Sequence, residues 1–175
     1  MTTLTKIIVA TLLSLSLFSC NFDYGVKGNG NVTIEDRNVN EPFTTIKATE
    51  GLNVYLTQND TESITVEADE NLQELIITEV ENGVLKIHTK ENIGRSKSKK
   101  ITVNFKDISS IISTSGSDVF STNTINADNL ELKSTSGSDM KLEVNTSVLN
   151  CKATSGSDLK ISGKTQNLIA EATSG

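Results

Sequence analysis

The chain has 175 residues, with 22 acidic against 16 basic residues and a formal net charge of −6. This excess of acid argues against nucleic-acid binding, which needs a basic stripe to neutralise phosphates. Aromatic residues make up 4% of the chain and tryptophan is absent, so the core must be aliphatic. Short runs of valine, isoleucine and leucine favour strands, and the length suits one domain.

The first 19 residues have the layout of a secretory signal peptide. Lys6 precedes an apolar stretch, residues 7–18, that is about 18 Å long as a helix, too short for a hydrocarbon core of about 30 Å. Leu17-Phe18-Ser19-Cys20 resembles the lipobox of bacterial lipoproteins. We therefore predict removal of residues 1–19 and lipidation of Cys20. A plain secretory signal with an incidental cysteine is the alternative.

Lipidation at Cys20 would hold the protein on a membrane surface, so we expect an exported protein anchored in the bacterial cell envelope, at the outer membrane. Residues 20–30 are polar and contain glycines, as in a short tether. If Cys20 is acylated, Cys151 has no disulfide partner and is interpreted as a small buried hydrophobe. No cluster of cysteine and histidine then remains for zinc or iron.

From Val32 onward the apolar residues alternate with the period of two that is typical of strands. Residues 52–56 and 63–68 follow this alternation closely. Asn82-Gly83 predicts a hairpin with a type I′ turn. One helical turn is predicted within residues 69–76, and no long helix is expected anywhere.

A five-residue phrase recurs in the second half of the chain. Thr114-Ser115-Gly116-Ser117-Asp118 returns at Thr135 and at Thr154, and Thr173 begins a fourth copy, at spacings of 21, 19 and 19 residues. Such a period indicates a repeat architecture. Superposing the copies predicts inward columns: Ile111, Leu132, Cys151 and Ala170; Ser113, Ser134, Ala153 and Ala172; Val119, Met140 and Leu159; Ser121, Leu142 and Ile161.

We predict an all-β protein, a right-handed parallel β-helix of about 20 residues per rung. The N-terminal part of this β-helix could be irregular or contain a hairpin. The phrase would form its corners, where glycine adopts the bend and the serine and aspartate side chains hydrogen-bond the backbone. The corner residues are Gly116, Ser117, Asp118, Gly137, Ser138, Asp139, Gly156, Ser157 and Asp158.

Gly51-Leu52-Asn53-Val54-Tyr55-Leu56, followed by the Ser-Gly-Ser-Asp phrases, resembles the head GIN domain family of autotransporter adhesins. The Gly-Ile-Asn of that family is Gly51-Leu52-Asn53 here. The resemblance covers about residues 30 to 175. It implies a right-handed β-helix akin to the pectin-lyase superfold, without assigned catalytic residues, and a role in adhesion. Because the sequence stops inside a fourth phrase, we expect the domain at 31–175 to be truncated at its C-terminus; a partner that pairs with the exposed edge is the alternative.

Asp118, Asp139 and Asp158 should stack about 5 Å apart, and three carboxylates in file could hold calcium. Calcium-binding β-rolls use nine-residue repeats rich in glycine, whereas this repeat is twice as long and has one glycine. Aspartates that cap backbone N–H groups are therefore the simpler interpretation. Calcium stays a weaker hypothesis, and we expect no cofactor.

The sequence predicts a binding protein rather than an enzyme. Hydrolysis of a polysaccharide needs two carboxyl groups in different environments, and repeated corners offer identical ones. The lone histidine, His88, is interpreted as a solvated strand residue far from the repeats. No nucleophile–base pair or phosphate loop is visible.

Two surface features could contact a ligand. The outward side chains of Tyr55 and Phe120 are candidate platforms for sugars. A basic cluster, Arg95, Lys97, Lys99 and Lys100, is interpreted as a mobile loop that keeps strand edges apart, with an anionic glycan or a lipid headgroup as the alternative. We expect a lipid-anchored protein that binds a glycan or a protein surface. A structural or regulatory envelope protein without an external ligand is the second hypothesis, and a β-helix carbohydrate-active enzyme is the third.

Overall fold

The computed structural model describes residues 25–174, and it confirms the all-β prediction. The predicted signal peptide, residues 1–19, and the predicted lipidation site Cys20 lie outside the described residues. A single turn of 3-10 helix, Glu70–Leu72, falls within the predicted helical stretch. The strands are β1 Val32–Arg37, β2 Thr45–Ala48, β3 Asn53–Gln58, β4 Ser63–Asp69, β5 Ile76–Glu81, β6 Val84–Thr89, β7 Lys99–Phe105, β8 Ser110–Ser113, β9 Asp118–Ser121, β10 Ile125–Thr135, β11 Asp139–Thr154 and β12 Asp158–Thr173.

The strands form one mixed sheet that is nearly closed, like a barrel. Its order is β1-β4-β7-β3-β9-β11-β10-β8-β2-β6-β5, and β12 pairs with β11. The pairs β1–β4, β4–β7 and β5–β6 are antiparallel. The predicted right-handed parallel β-helix, and the pectin-lyase-like coil that the resemblance implied, are therefore wrong, because a parallel coil does not contain such reversals.

A long excursion of the chain produces the mixed sheet. Thr45 of β2 lies opposite Ser110 of β8 in a parallel pair, although β3 to β7 come between them in the sequence. Strands β6 and β7 pair with β2 and β3, respectively, on the edges opposite to those that pair with β8 and β9. Asn82 and Gly83 reverse the chain between β5 and β6 with φ angles of 51° and 75°. The predicted hairpin is thus confirmed, since both central residues of a type I′ turn have positive φ.

Strands β8 to β12 pair in parallel, in the register that the repeat predicts. Leu132 lies opposite both Ile111 and Cys151, and Met140 lies opposite Val119. In the predicted serine column, Ser134 lies opposite both Ser113 and Ala153. In the last predicted column, Leu142 lies opposite Ile161. The repeat therefore fixes the local register correctly even though the overall architecture differs from a coil.

The core is aliphatic, as the composition predicts. Two phenylalanines, Phe43 and Phe105, are buried in it. Most of the remaining buried side chains are branched aliphatic residues that alternate along their strands; they include Ile46, Val54, Leu56, Ile64, Val66, Leu85, Ile87, Ile101, Val103, Ile111, Val119 and Leu132.

Residues 26–30, assigned to the tether, are held against the body of the fold. The N–H of Val26 donates to the carbonyl of Asn92 (2.7 Å), and that of Gly28 donates to Arg95 (3.0 Å). The N–H of Gly30 donates to the carboxylate of Asp69 at 2.9 Å. This part of the segment therefore belongs to the domain. Between residues 25 and 174, no helix has the length and apolar character needed to cross a bilayer.

Candidate functional site

The recurring phrase forms stacked corners with one backbone conformation. In the first copy, Ser115 and Gly116 both have positive φ, at 55° and 72°. The N–H of Ser117 donates to the carbonyl of Thr114 at 3.2 Å and closes the turn. The later copies repeat this conformation. Glycine at the bend is confirmed, and the serine before it adopts the left-handed region as well.

The second serine of the phrase is a structural group that is buried in the first two copies. Ser138 has no exposed surface, and its hydroxyl lies 2.8 Å from the carbonyls of Ser113 and Thr135. The same hydroxyl accepts the N–H of Thr135 at 3.0 Å. Ser117 reaches Ala48 at 3.0 Å and Ser157 reaches Ser134 at 2.8 Å. Each of these serines therefore joins its corner to the preceding strand in the stack.

Glu50-Gly51 is an additional corner that the repeat search missed. These residues have φ angles of 62° and 68°, and the N–H of Gly51 donates to the carbonyl of Ser115 at 3.0 Å. Asn53 lies opposite Asp118. The signal was present as the spacing Thr49-x-Gly51-x-Asn53, which keeps the threonine and glycine of the phrase, has asparagine in place of aspartate and lacks both serines.

The three aspartates form the predicted ladder, since Asp139 lies opposite both Asp118 and Asp158. Burial, together with the neighbouring carboxylate of Asp139, raises the pKa of Asp118, and Lys99 opposes the shift. None of the three carboxylates accepts a hydrogen bond in the described chain, so the capping interpretation is wrong for aspartate and correct for serine. Residues 25–174 contain no group of three or more His, Cys, Asp or Glu suited to a metal ion. Calcium at the ladder stays a hypothesis.

An aromatic pair lies on the outward surface of the sheet. We define the outer column as the aligned residues on β7, β3, β9, β11 and β12: Thr102, Tyr55, Phe120, Lys141 and Lys160. The rings of Tyr55 and Phe120 stack with centroids 5.2 Å apart and an interplanar angle of 27°. The Nζ of Lys100 lies 5.1 Å from the centroid of Tyr55, within range of a cation–π contact. The prediction that both rings point outward is confirmed.

A groove of about 340 Å³ adjoins this pair. Phe120 and Lys141 line it together with hydroxyl groups and the carboxylate of Glu143. The carboxylate accepts a hydrogen bond from Thr124 (2.8 Å), and the N–H of Glu143 donates to the hydroxyl of Ser121 at 2.8 Å. The groove therefore combines an aromatic surface with fixed polar groups, the usual composition of a small-ligand site.

The sequence profile described as "Putative auto-transporter adhesin, head GIN domain" matches residues 42–175. This match includes the Gly51 corner, all repeated phrases and the outer column. The chain belongs to the head GIN domain family. No curated protein matches this sequence.

Solved bacterial structures share the fold of this head GIN domain. A "putative lipid binding protein" from Parabacteroides distasonis is 20% identical with a TM-score of 0.76; the alignment covers 84% of this chain and 65% of that one. A "putative adhesin" from Bacteroides fragilis is 21% identical with a TM-score of 0.74, covering 85% and 77%. One from Parabacteroides merdae is 16% identical with a TM-score of 0.65, covering 85% and 80%. At these identities the likeness shows the fold alone.

The basic residues of this head GIN domain do not form one cluster. The loop before β7 is fixed by Asp69, which is 1% exposed and accepts the N–H groups of Lys97 (3.0 Å) and Ser98 (3.1 Å). Burial alone would raise the pKa of Asp69, but N–H groups of Gly30, Ser98 and Lys97 lower it further than burial raises it. The predicted mobile loop is therefore a hydrogen-bonded part of the fold. The side chain of Lys100 lies over the ring of Tyr55 instead.

His88 and Cys151, the two other residues interpreted from the sequence, are not part of the outer column. The Nε2 of His88 is 3.1 Å from the Oε1 of Glu79 on the paired strand β5, so it is a partnered strand residue. Cys151 is a free, half-buried cysteine whose thiol pKa is raised by burial. It lines a groove of about 600 Å³ beside β12, together with Leu149 and Leu168.

Proposed function

We propose that this head GIN domain is the binding head of an exported protein of the bacterial cell envelope, anchored to the outer membrane through a lipid on Cys20. It binds a glycan or a protein surface and does not catalyse a reaction. The family description and the names of the similar structures support an adhesive role at the cell surface. The lipobox-like sequence that ends at Cys20 supports the anchor.

The outer column is the observation that carries this proposal. It places the stacked rings of Tyr55 and Phe120 between Lys100 and Lys141. The backbone of these strands is held by their pairing in the sheet. Aromatic residues are enriched at binding interfaces, and sites built on strands hold their geometry better than sites on loops. Ser117 and Ser138 of the corners are buried and occupied by hydrogen bonds to backbone carbonyls, so their hydroxyl groups are not available to a ligand.

Arrays of glycans and of host surface proteins, probed with the soluble domain, test adhesion. The double variant Lys141→Glu/Lys160→Glu reverses two exposed charges of the outer column. Lys47→Glu/Lys133→Glu makes the same change in charge in a different aligned column, on β2 and β10. We expect the first variant to lose binding and the second to retain it. Equal binding by both, or no binding by the wild type, would contradict the proposal.

The anchor has a separate test. Cells that express the full chain should incorporate labelled palmitate into the protein, and Cys20→Ala should abolish the label and release the protein from membranes. A wild-type protein without label would contradict lipidation and leave the adhesive role to be judged by the arrays.

A further inference from the structure

The stacked aromatic pair of the outer column borders a groove at the protein surface. Strands β7 and β9 flank β3 on opposite sides, so Lys100 and Phe120 contact the Tyr55 ring from two different neighbouring strands. Phe120 stacks on Tyr55 and lines the groove together with Lys141, the residue opposite it on β11. Tyr55 lines the same groove, so the two stacked rings together form its aromatic wall, and Phe120 is the ring next to Lys141.

The groove wall presents a hydrogen-bond donor and an acceptor close together. Lys141 forms no ion pair with any residue in 25–174, which leaves its ammonium group available as a donor. The carboxylate of Glu143 is held by Thr124 and retains capacity to accept from a hydroxyl group. Such a pair suits the neighbouring hydroxyl groups of a sugar ring, while the partly positive C–H face of the ring suits the negative face of an aromatic side chain.

The charges around the groove favour a neutral ligand over an anionic one. Three ammonium groups, those of Lys100, Lys141 and Lys160, lie on this part of the face, and three carboxylates accompany them. Asp139 and Asp158 precede the last two lysines by two residues on the same strands, and Glu143 lines the groove itself. A ligand carboxylate or sulfate would be repelled by at least as many charges as attract it.

We propose that the groove binds a neutral pyranose unit, with its apolar face on Phe120 and two hydroxyl groups on Lys141 and Glu143. This inference rests on the proposed adhesive function and names its ligand class. The groove is open, so the sugar is bound as a terminal or internal unit of a surface glycan.

Calorimetric titration with neutral galacto-, gluco- and manno-oligosaccharides, and with galacturonic and glucuronic acid oligomers of equal length, tests the class. We expect at least one neutral series to bind about tenfold or more tightly than the uronates. Phe120→Ala and Phe120→Leu should each weaken binding by at least about tenfold. Phe120→Leu keeps an apolar contact with Tyr55, so it separates loss of the aromatic ring from loss of folding. Phe120→Tyr keeps the ring and should bind within about threefold of wild type.

Tighter binding of uronates would overturn the ligand class. Undiminished glycan binding by Phe120→Leu would place the ligand elsewhere, overturning the site while the adhesive role stands. If the arrays showed binding to proteins alone, the sugar site would be wrong and adhesion would survive. Absence of binding to any glycan or protein would overturn both.

Discussion

The hydroxyl of Ser117 lies 3.0 Å from the carbonyl oxygen of Ala48, which is 69 positions earlier in the chain. Ala48 ends β2, so this contact joins the first repeated corner to a strand from the other side of the excursion. Ser138 repeats the contact with Ser113 one corner later. The recurrence of the phrase is therefore explained by folding, and we propose the outer column as the surface that binds the ligand.

Removal of a corner hydroxyl should destabilise the domain far more than removal of its exposed neighbour. Ser138→Ala deletes a buried group and leaves the N–H of Thr135 without this acceptor, so we expect a loss of roughly 2 kcal/mol. Ser136→Ala, at an exposed position in the same corner, should change stability by less than about 0.5 kcal/mol. Urea denaturation of both variants measures the difference. Equal losses would contradict the structural role of Ser138.

Two glycines should differ in their tolerance of alanine. A Cβ on Gly137 would meet nothing within 4 Å, so Gly137→Ala pays only for its left-handed φ, roughly 1–2 kcal/mol. A Cβ on Gly163 would lie 1.9 Å from the carbonyl oxygen of Val144 on the paired strand β11. Gly163→Ala must displace backbone and should cost more than Gly137→Ala. Thermal melts rank the two variants, and the reverse order would contradict the described pairing of β12.

Asp69 should make the domain acid-sensitive. Its folded pKa is lowered, so its carboxylate contributes stability above the unfolded value of about 3.9, and the contribution is lost as pH falls through the folded pKa. Asp69→Asn should lower the free energy of unfolding at pH 7 by roughly 2 kcal/mol and flatten the acid limb of the pH profile. Asp128→Asn, at an exposed position, is the control. An unchanged acid limb in Asp69→Asn would show that another group controls it.

Asp118 should have the opposite effect. Since burial and Asp139 raise its folded pKa, its contribution to stability declines as pH rises from the unfolded value through the folded one. Asp118→Asn removes the repulsion and should stabilise the domain at pH 7 by roughly 0.5 kcal/mol, with little effect near pH 3. Denaturation at the two pH values checks the sign. Destabilisation at neutral pH would mean that the carboxylate has a favourable partner.

Calcium provides a separate test of the aspartate ladder. If the three carboxylates bind the ion, millimolar calcium should raise the melting temperature of the wild type and leave that of Asp118→Asn unchanged. A wild-type melt that does not move with calcium would contradict the calcium hypothesis.

Sequence patterns determined local structure better than architecture. The Asn82-Gly83 hairpin, the helical turn and the register of Leu132 with Ile111 were predictable because each depends on neighbouring residues or on a repeat. The mixed topology was not, because strands alternate with the same period in parallel and antiparallel pairs. Nothing in the composition of β4 to β7 marks the side of β2 and β3 on which they pair.

The site was predictable only in part for a similar reason. Outward placement of Tyr55 and Phe120 follows from alternation, but their stacking depends on the pairing of β3 with β9. The Glu50-Gly51 corner could have been found only with a looser pattern, Thr-x-Gly-x-Asp/Asn, because Glu50 and Leu52 replace both serines of the phrase. The role of Asp69 depends on loops that meet only in the folded chain, so no local pattern indicates it.

The most direct test of the account is an NMR titration of the 15N-labelled soluble domain with the glycan that binds best on the array. We expect the largest amide shift changes at Phe120, Lys141 and Glu143, with the corner amides of residues 136–138 unaffected. Changes concentrated at the corners and absent from the outer column would contradict the central claim that the repeated phrase builds the fold and the outer column binds the ligand.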